Sequence, residues 1–195
     1  MKKIMFNDRF GLTQAVLDGR KTMTRRIIPL CENDLNFLKV TDKGEWLFSS
    51  RTCLDGAFPA YKVGDELAIA QAYNTLRWPA LPGIDWKAIT DEVTHSKGWT
   101  NKMFVKSEYM PHRIRITNIR VERLQDIIDD DCLREGIVKT DCVAPYGFPV
   151  GNGKWKNYRT PQDAFAALID RISGKGTWER NPWVFAYEFE LITRY

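Results

Sequence analysis

The strongest apolar rhythm in the chain lies in "TPQDAFAALIDRISG", residues 160–174. Phe165, Leu168, Ile169 and Ile172 recur at helical spacing and share one face. Thr160 stands as N-cap, Pro161 takes the first turn and Gly174 ends the run, so the pattern predicts a helix between them. A shorter version, with Leu12, Ala15 and Val16 in phase, predicts a helix over residues 8–18 with Gly19 as its C-terminal cap. "DDDCLREGI" predicts a short helix with acids at its positive end.

Elsewhere the period changes to two. "HRIRITNIRVERL" alternates Ile114 and Ile116 and, after a slip near Asn118, Ile119 and Val121, with arginines mostly on the other face. That predicts a half-buried antiparallel strand with a bulge. "PWVFAYEFELI" sets Val184, Ala186, Glu188 and Glu190 against Phe185, Tyr187, Phe189 and Leu191, as in a strand with one wet face. "KKIMF" and "EWLFSS" predict short strands, and "YKVGDELAIAQAY" a Gly-Asp turn followed by a strand bearing Leu67, Ile69 and Gln71. From Arg77 to Lys102 neither period holds, yet Trp78, Trp86 and Trp99 fall there, which predicts an ordered excursion covering the core. Strands outnumber helices and helices sit between them. The expected fold is α+β, a small mixed β-barrel with inserted helices, as one domain over residues 1–195.

Composition narrows the function. The 195 residues, 44% hydrophobic, suffice for one domain with a sizeable core. No run approaches eighteen apolar residues, and Asn7 and Asp8 interrupt any apolar leader, so the expectation is a cytoplasmic protein without membrane partners. Cys31, Cys53, Cys132 and Cys142 form no CxxC pair and read as free thiols. Two histidines, His95 and His112, with no HExxH, argue against a bound metal, and no cofactor is expected. The net charge is +4, and the basic excess is concentrated in residues 1–30, where Asp8 and Asp18 are the only acids. Such a cluster is either solvated surface or a site for an anion, phosphate or nucleotide.

The densest part of that cluster is "GRKTMTRR", residues 19–26. A Thr hydroxyl beside a neutral Lys amine is a nucleophile with its base. Lys must lose proton affinity to act so, and burial or the neighbouring Arg20, Arg25 and Arg26 supply the shift while also holding the polar part of a nucleotide. Lys21 and Thr24 are three apart, so only a turn or bulge brings both to one site. Phe6 and Phe10 are core residues or stacking platforms for a base.

These motifs together resemble the ASCH domains, a branch of the PUA-like β-barrels. "AVLDGRKTMTRR" is similar to their Gly-x-Lys-Thr-x-Thr-x-Arg signature, and the likeness continues through "YKVGDELAIAQAY", "YMPHRIRITNIRVERLQDIIDDDCLREGI" and "NPWVFAYEFELI". It covers most of the chain and is nearest to the larger phage and prophage members. Where members often carry Arg-Glu after the Gly-Asp strand, this chain has Ala70 and Gln71. The resemblance implies handling of RNA or nucleotides. One bacterial branch hydrolyses the acyl amide of N4-acetylcytidine with a Lys, a Thr and a Glu, which fall here on Lys21, Thr24 and Glu135. The implied function is a metal-independent amidohydrolase for N4-acylated cytosine nucleosides, with a modified cytidine as its partner. The alternative is a noncatalytic RNA-binding module, in which the same cations contact phosphates and Glu135 or Gln71 reads a base edge.

Overall fold

The structure, a computed structural model, describes residues 1–31, 33–76 and 86–193. In chain order the elements are β1 (Lys3–Ile4), α1 (Leu12–Leu17), β2 (Met23–Ile27), β3 (Asn36–Val40), β4 (Trp46–Ser49), β5 (Leu54–Ala57), β6 (Glu66–Ile69), α2 (Trp86–Thr94), β7 (His112–Arg123), α3 (Asp129–Arg134), β8 (Val138–Lys139), β9 (Tyr146–Gly151), β10 (Lys154–Tyr158), α4 (Pro161–Ser173), α5 (Thr177–Arg180) and β11 (Trp183–Thr193). Helix at 30% and strand at 33% are nearly balanced. The strand pairs are antiparallel except β1 with β6, which makes the fold α+β.

The two longest strands, β7 and β11, carry the alternating Ile, Val and aromatic residues that suit a pleated, half-buried surface. They pair along their whole length at the centre of a five-stranded sheet of order β1-β6-β7-β11-β2. The register shifts between Glu188 and Phe189, which face Asn118 and Ile116, so Thr117 is the extra residue of a bulge one position from the expected slip. The single wet face expected of β11 holds only over Glu188–Glu190, where the two glutamates flank a buried Phe189, and at its start the strand is covered on both faces. Val184, Phe185, Ala186 and Tyr187 are all buried, whereas further along Glu188 is half-buried and Glu190 exposed. The sheet β3-β4-β5 does part of the covering, with the Trp46 ring 5.7 Å from Phe185 and the Phe48 ring 5.5 Å from Trp183. A third sheet, β10-β9-β8, turns at Gly151–Asn152–Gly153, all at positive φ.

The expected barrel is not closed among the described residues. Its edge strands β1 and β2 form no ladder with each other. A side chain spans the gap instead, with the Arg26 guanidinium donating to the Met5 carbonyl at 2.9 Å. Residues 8–18 are likewise not one helix. Gly11, at φ +66°, separates a 3₁₀ turn over Asp8–Phe10 from α1, and a Cβ there would sit 3.0 Å from Pro149.

Helix α4 has the expected ends, the Thr160 hydroxyl accepting from the Asp163 amide at 3.0 Å. Its Phe165, Leu168 and Ile169 are buried, but Ile172 is 38% exposed because it stands at the mouth of a cavity. Two of the cysteines expected to be free thiols, Cys31 and Cys53, form a disulfide between the β2–β3 connection and the loop before β5. Cys132 and Cys142 are free. Of the excursion, the part before Trp86, with Trp78, lies outside the described residues, as does the Trp86 side chain. Trp99 packs on a second small core around Ala68, Tyr73, Val93 and Met110. Among the described residues no helix is long and apolar enough to cross a membrane.

Candidate active site

The loop after α1 is fixed by its backbone. Gly19 takes φ +72°, the Lys21 amide donates to the Ala15 carbonyl at 2.9 Å, and the Thr22 amide donates to the Arg134 carbonyl at 2.9 Å. The loop is thereby tied to α1 on one side and α3 on the other. β2 begins only at Met23, so Lys21 lies before the strand and the alternation that would separate it from Thr24 does not apply. α3 ends on Glu135, whose amide donates to the Asp131 carbonyl at 2.8 Å. Gly136 follows at φ +109°. A Cβ there would lie 2.9 Å from Leu12 Cδ2 and 3.7 Å from Lys21 Cδ, so this glycine makes room where Leu12 and the stem of Lys21 pass.

Lys21 is 2% exposed. Its Nζ donates to Glu135 Oε2 at 2.6 Å, to the Glu135 carbonyl at 2.8 Å and to the Met23 carbonyl at 2.6 Å. Beside it Arg25 is fully enclosed, with its guanidinium 3.1 Å from Glu135 Oε1, 2.9 Å from Asp131 and 2.6 Å from Glu122. Half-exposed charges complete the ring, Arg120 bridging Asp131 at 2.9 Å and Glu188 at 2.6 Å, and Arg134 reaching Glu188 at 2.8 Å. Burying such ions costs several kcal/mol each before their pairing repays it, which makes the cluster a poor stability device and a candidate for chemistry. Burial pushes the Lys21 ammonium below its ordinary range. Glu135 opposes that shift, and Arg26 and Arg25 add to it. Burial also opposes the Arg25 charge, but Glu135, Glu122 and Asp131 outweigh it and keep the guanidinium firmly protonated.

Above this cluster opens a cavity of about 280 Å³. Lys21, Thr24, Arg25 and Glu135 line it with Phe6, Asn7 and Arg26, while α4 supplies Phe165, Leu168, Ile169 and Ile172. Thr24 is 6% exposed, and among the described residues its hydroxyl has no hydrogen-bond partner. The Lys21 amine is 5.8 Å from the centre of the Phe6 ring. The cavity therefore joins an unused hydroxyl, a buried amine, a carboxyl group and an aromatic wall, the parts acyl transfer requires.

Of the residues singled out in the sequence, Lys21, Thr24, Glu135, Phe6, Arg25 and Arg26 meet at this cavity. Three do not. Arg20 is half-exposed and pairs with Asp18 at 3.0 Å, away from the cavity, and it is not among the groups that mainly set the proton affinity of Lys21. Phe10 is a core residue, its ring edge-on to Phe148 at 5.9 Å. Gln71 lies in a separate polar cleft with Gln14, Thr75 and His112. Arg25 requires a correction of role: its donors are taken by three carboxylates, so it is no free phosphate contact. Residue-by-residue reading missed those carboxylate partners, Asp131 and Glu122, although Asp131 stands in the acidic triplet that opens α3. It also missed the α4 wall, since an apolar stripe on one helix face does not declare that it lines a cavity. Cys132, beside the cluster, is no rival nucleophile, since burial pushes its thiol up to about 12.

Comparison of the chain with protein-family models, with curated proteins and with solved structures found no match in any of the three.

Proposed function

We propose that the cavity is the active site of a metal-independent amidohydrolase that removes the acyl group from N4-acylated cytosine nucleosides, on a PUA-like scaffold of the ASCH type. The motif series from "AVLDGRKTMTRR" to "NPWVFAYEFELI" supports the scaffold, as does an open sheet whose edge strand β2 lines the cavity together with the segment that follows β1. One observation carries the reaction. The Lys21 amine and the Glu135 carboxyl group meet at 2.6 Å, out of water, on the floor of a cavity that also presents the unbonded Thr24 hydroxyl.

In this reading Lys21 passes a proton to Glu135 and, as a neutral amine, takes the proton of Thr24. The Thr24 oxygen bonds to the acyl carbon, and the carbon–N4 bond breaks as Glu135 returns its proton to the departing N4. Water then cleaves the threonyl ester, leaving cytidine and a carboxylic acid. A binding module that grips phosphates through Lys21 and Arg25 needs both exposed, and both are buried and paired.

The test is an assay of the purified protein with N4-acetylcytidine, following cytidine and acetate. Wild type is expected to release both in equal amounts, and Thr24→Ala to release neither. No release by folded wild-type protein would overturn the proposal.

A further inference from the structure

The floor of the cavity is polar, but its α4 side is not. Phe165, Leu168, Ile169 and Ile172 form one stripe of the helix that lines the cavity, rising about 10 Å from first to last at 1.5 Å per residue. The stripe starts deep, where the Arg25 guanidinium lies 5.9 Å from the Phe165 ring, and it ends in the open at Ile172. At the mouth Ile172 is joined by Met5, just after β1, and Ile27 of β2, and these three are 38%, 39% and 38% exposed. Of the hydrogen-bonding groups of the rim, Asn7 and Arg26 come from the N-terminal segment and β2, and α4 adds only Ser173, its last residue, one position beyond the stripe. An acetyl group on the floor would cover the deep end of the stripe and leave Ile172, Met5 and Ile27 wet.

We propose that the α4 stripe is a track for a medium-length apolar acyl chain, so that the preferred substrate is an amide of roughly six to eight carbons rather than an acetamide. This rests on the reading of the cavity as an acyl-transfer site. The reacting carbonyl lies at Thr24, Lys21 and Glu135, the chain runs out along Leu168 and Ile172 beneath Met5 and Ile27, and the polar part of the substrate faces Asn7 and Arg26. The reaction is the hydrolysis already described, with a fatty acid as the released acid.

The experiment compares N4-acetylcytidine with N4-hexanoylcytidine twice, by kcat/KM in the wild-type protein and by calorimetric Kd in the Thr24→Ala protein, where chemistry does not interfere. Each methylene buried is worth roughly fourfold, so the hexanoyl compound is expected to lead by at least about tenfold in both measurements. Placing Ile172→Lys in each background should bring that ratio close to one, the new cation suiting the last turn of a helix. Ile172→Ser, which only shortens the track, should give an intermediate ratio. Equal performance of the two compounds, binding of neither, or an unchanged ratio in both Ile172 variants overturns the track, and turnover of both would leave the hydrolase standing. Tight, Ile172-dependent binding of the hexanoyl compound without release of cytidine upholds the track and removes the hydrolase.

Discussion

An ammonium surrounded by three acceptors has no lone pair to offer, so Lys21 becomes a base only when it hands a proton to Glu135 and turns toward Thr24. Arginine cannot make that exchange, because its guanidinium stays protonated. Lys21→Arg is therefore expected to lower kcat/KM for N4-acetylcytidine by at least about 10²-fold, within the range of a lost general base, and a variant near wild-type rate would remove Lys21 from that role. The same residue leaves a mark on stability. It releases its proton more readily in the folded protein than in the unfolded chain, where it titrates near 10.5. Between those two values the unfolded state holds more protons, so this group makes stability rise with pH. The urea midpoint of wild type should gain on that of Lys21→Met as pH climbs toward 10.5, and parallel curves would contradict the shift. Lys21 and Thr24 were legible in the loop "GRKTMTRR" and Glu135 only through the resemblance, and their meeting at one cavity is what the structure adds. Arg20 and Arg25 were not distinguishable, since neighbouring cations look alike until a partner such as Asp131 claims one of them.

Between elements, one turn sets the distance from Glu135 to Lys21. Gly136 must hold φ +109° where Leu12 and the Lys21 stem pass, so Gly136→Ala adds backbone strain and a clash with Leu12 Cδ2. A loss of about 1–3 kcal/mol in unfolding free energy is expected, with a drop in kcat that outlasts correction for the folded fraction. Full activity in the folded variant would mean that the turn does not set the geometry. The elements differ in how openly the chain declares them. α4 was readable end to end because its caps and its stripe agree, and β7 because its alternation breaks where the bulge falls. β11 misled over its first half, since alternation reports chemistry and not cover, and Val184 and Ala186 are buried along with Phe185 and Tyr187. The β9–β10 hairpin went unassigned although its Gly-Asn-Gly turn was a legible hairpin signal, while β3 and β5 are short and carry mixed polarity.

At the scale of the molecule, the order of strands in space departs from their order in the chain. β2, which carries Thr24 and Arg25, lies at the sheet edge beside β11, with Ile27 facing Val184 and Thr24 facing Tyr187. A protein cut after Arg180 keeps every residue that lines the cavity and loses the strand that holds β2, with Glu188 of the charge ring. Limited trypsinolysis should then cleave rapidly at Arg25, which is buried in the whole protein, and equal resistance in both forms would count against this dependence. The arrangement also imposes a timetable on synthesis. At about 5–20 residues per second, β2 leaves the ribosome roughly 8–30 s before its neighbour. Through that interval Arg25 has no sheet to shelter it, so the cavity and its buried charge cluster assemble only once β11 has followed β2 out.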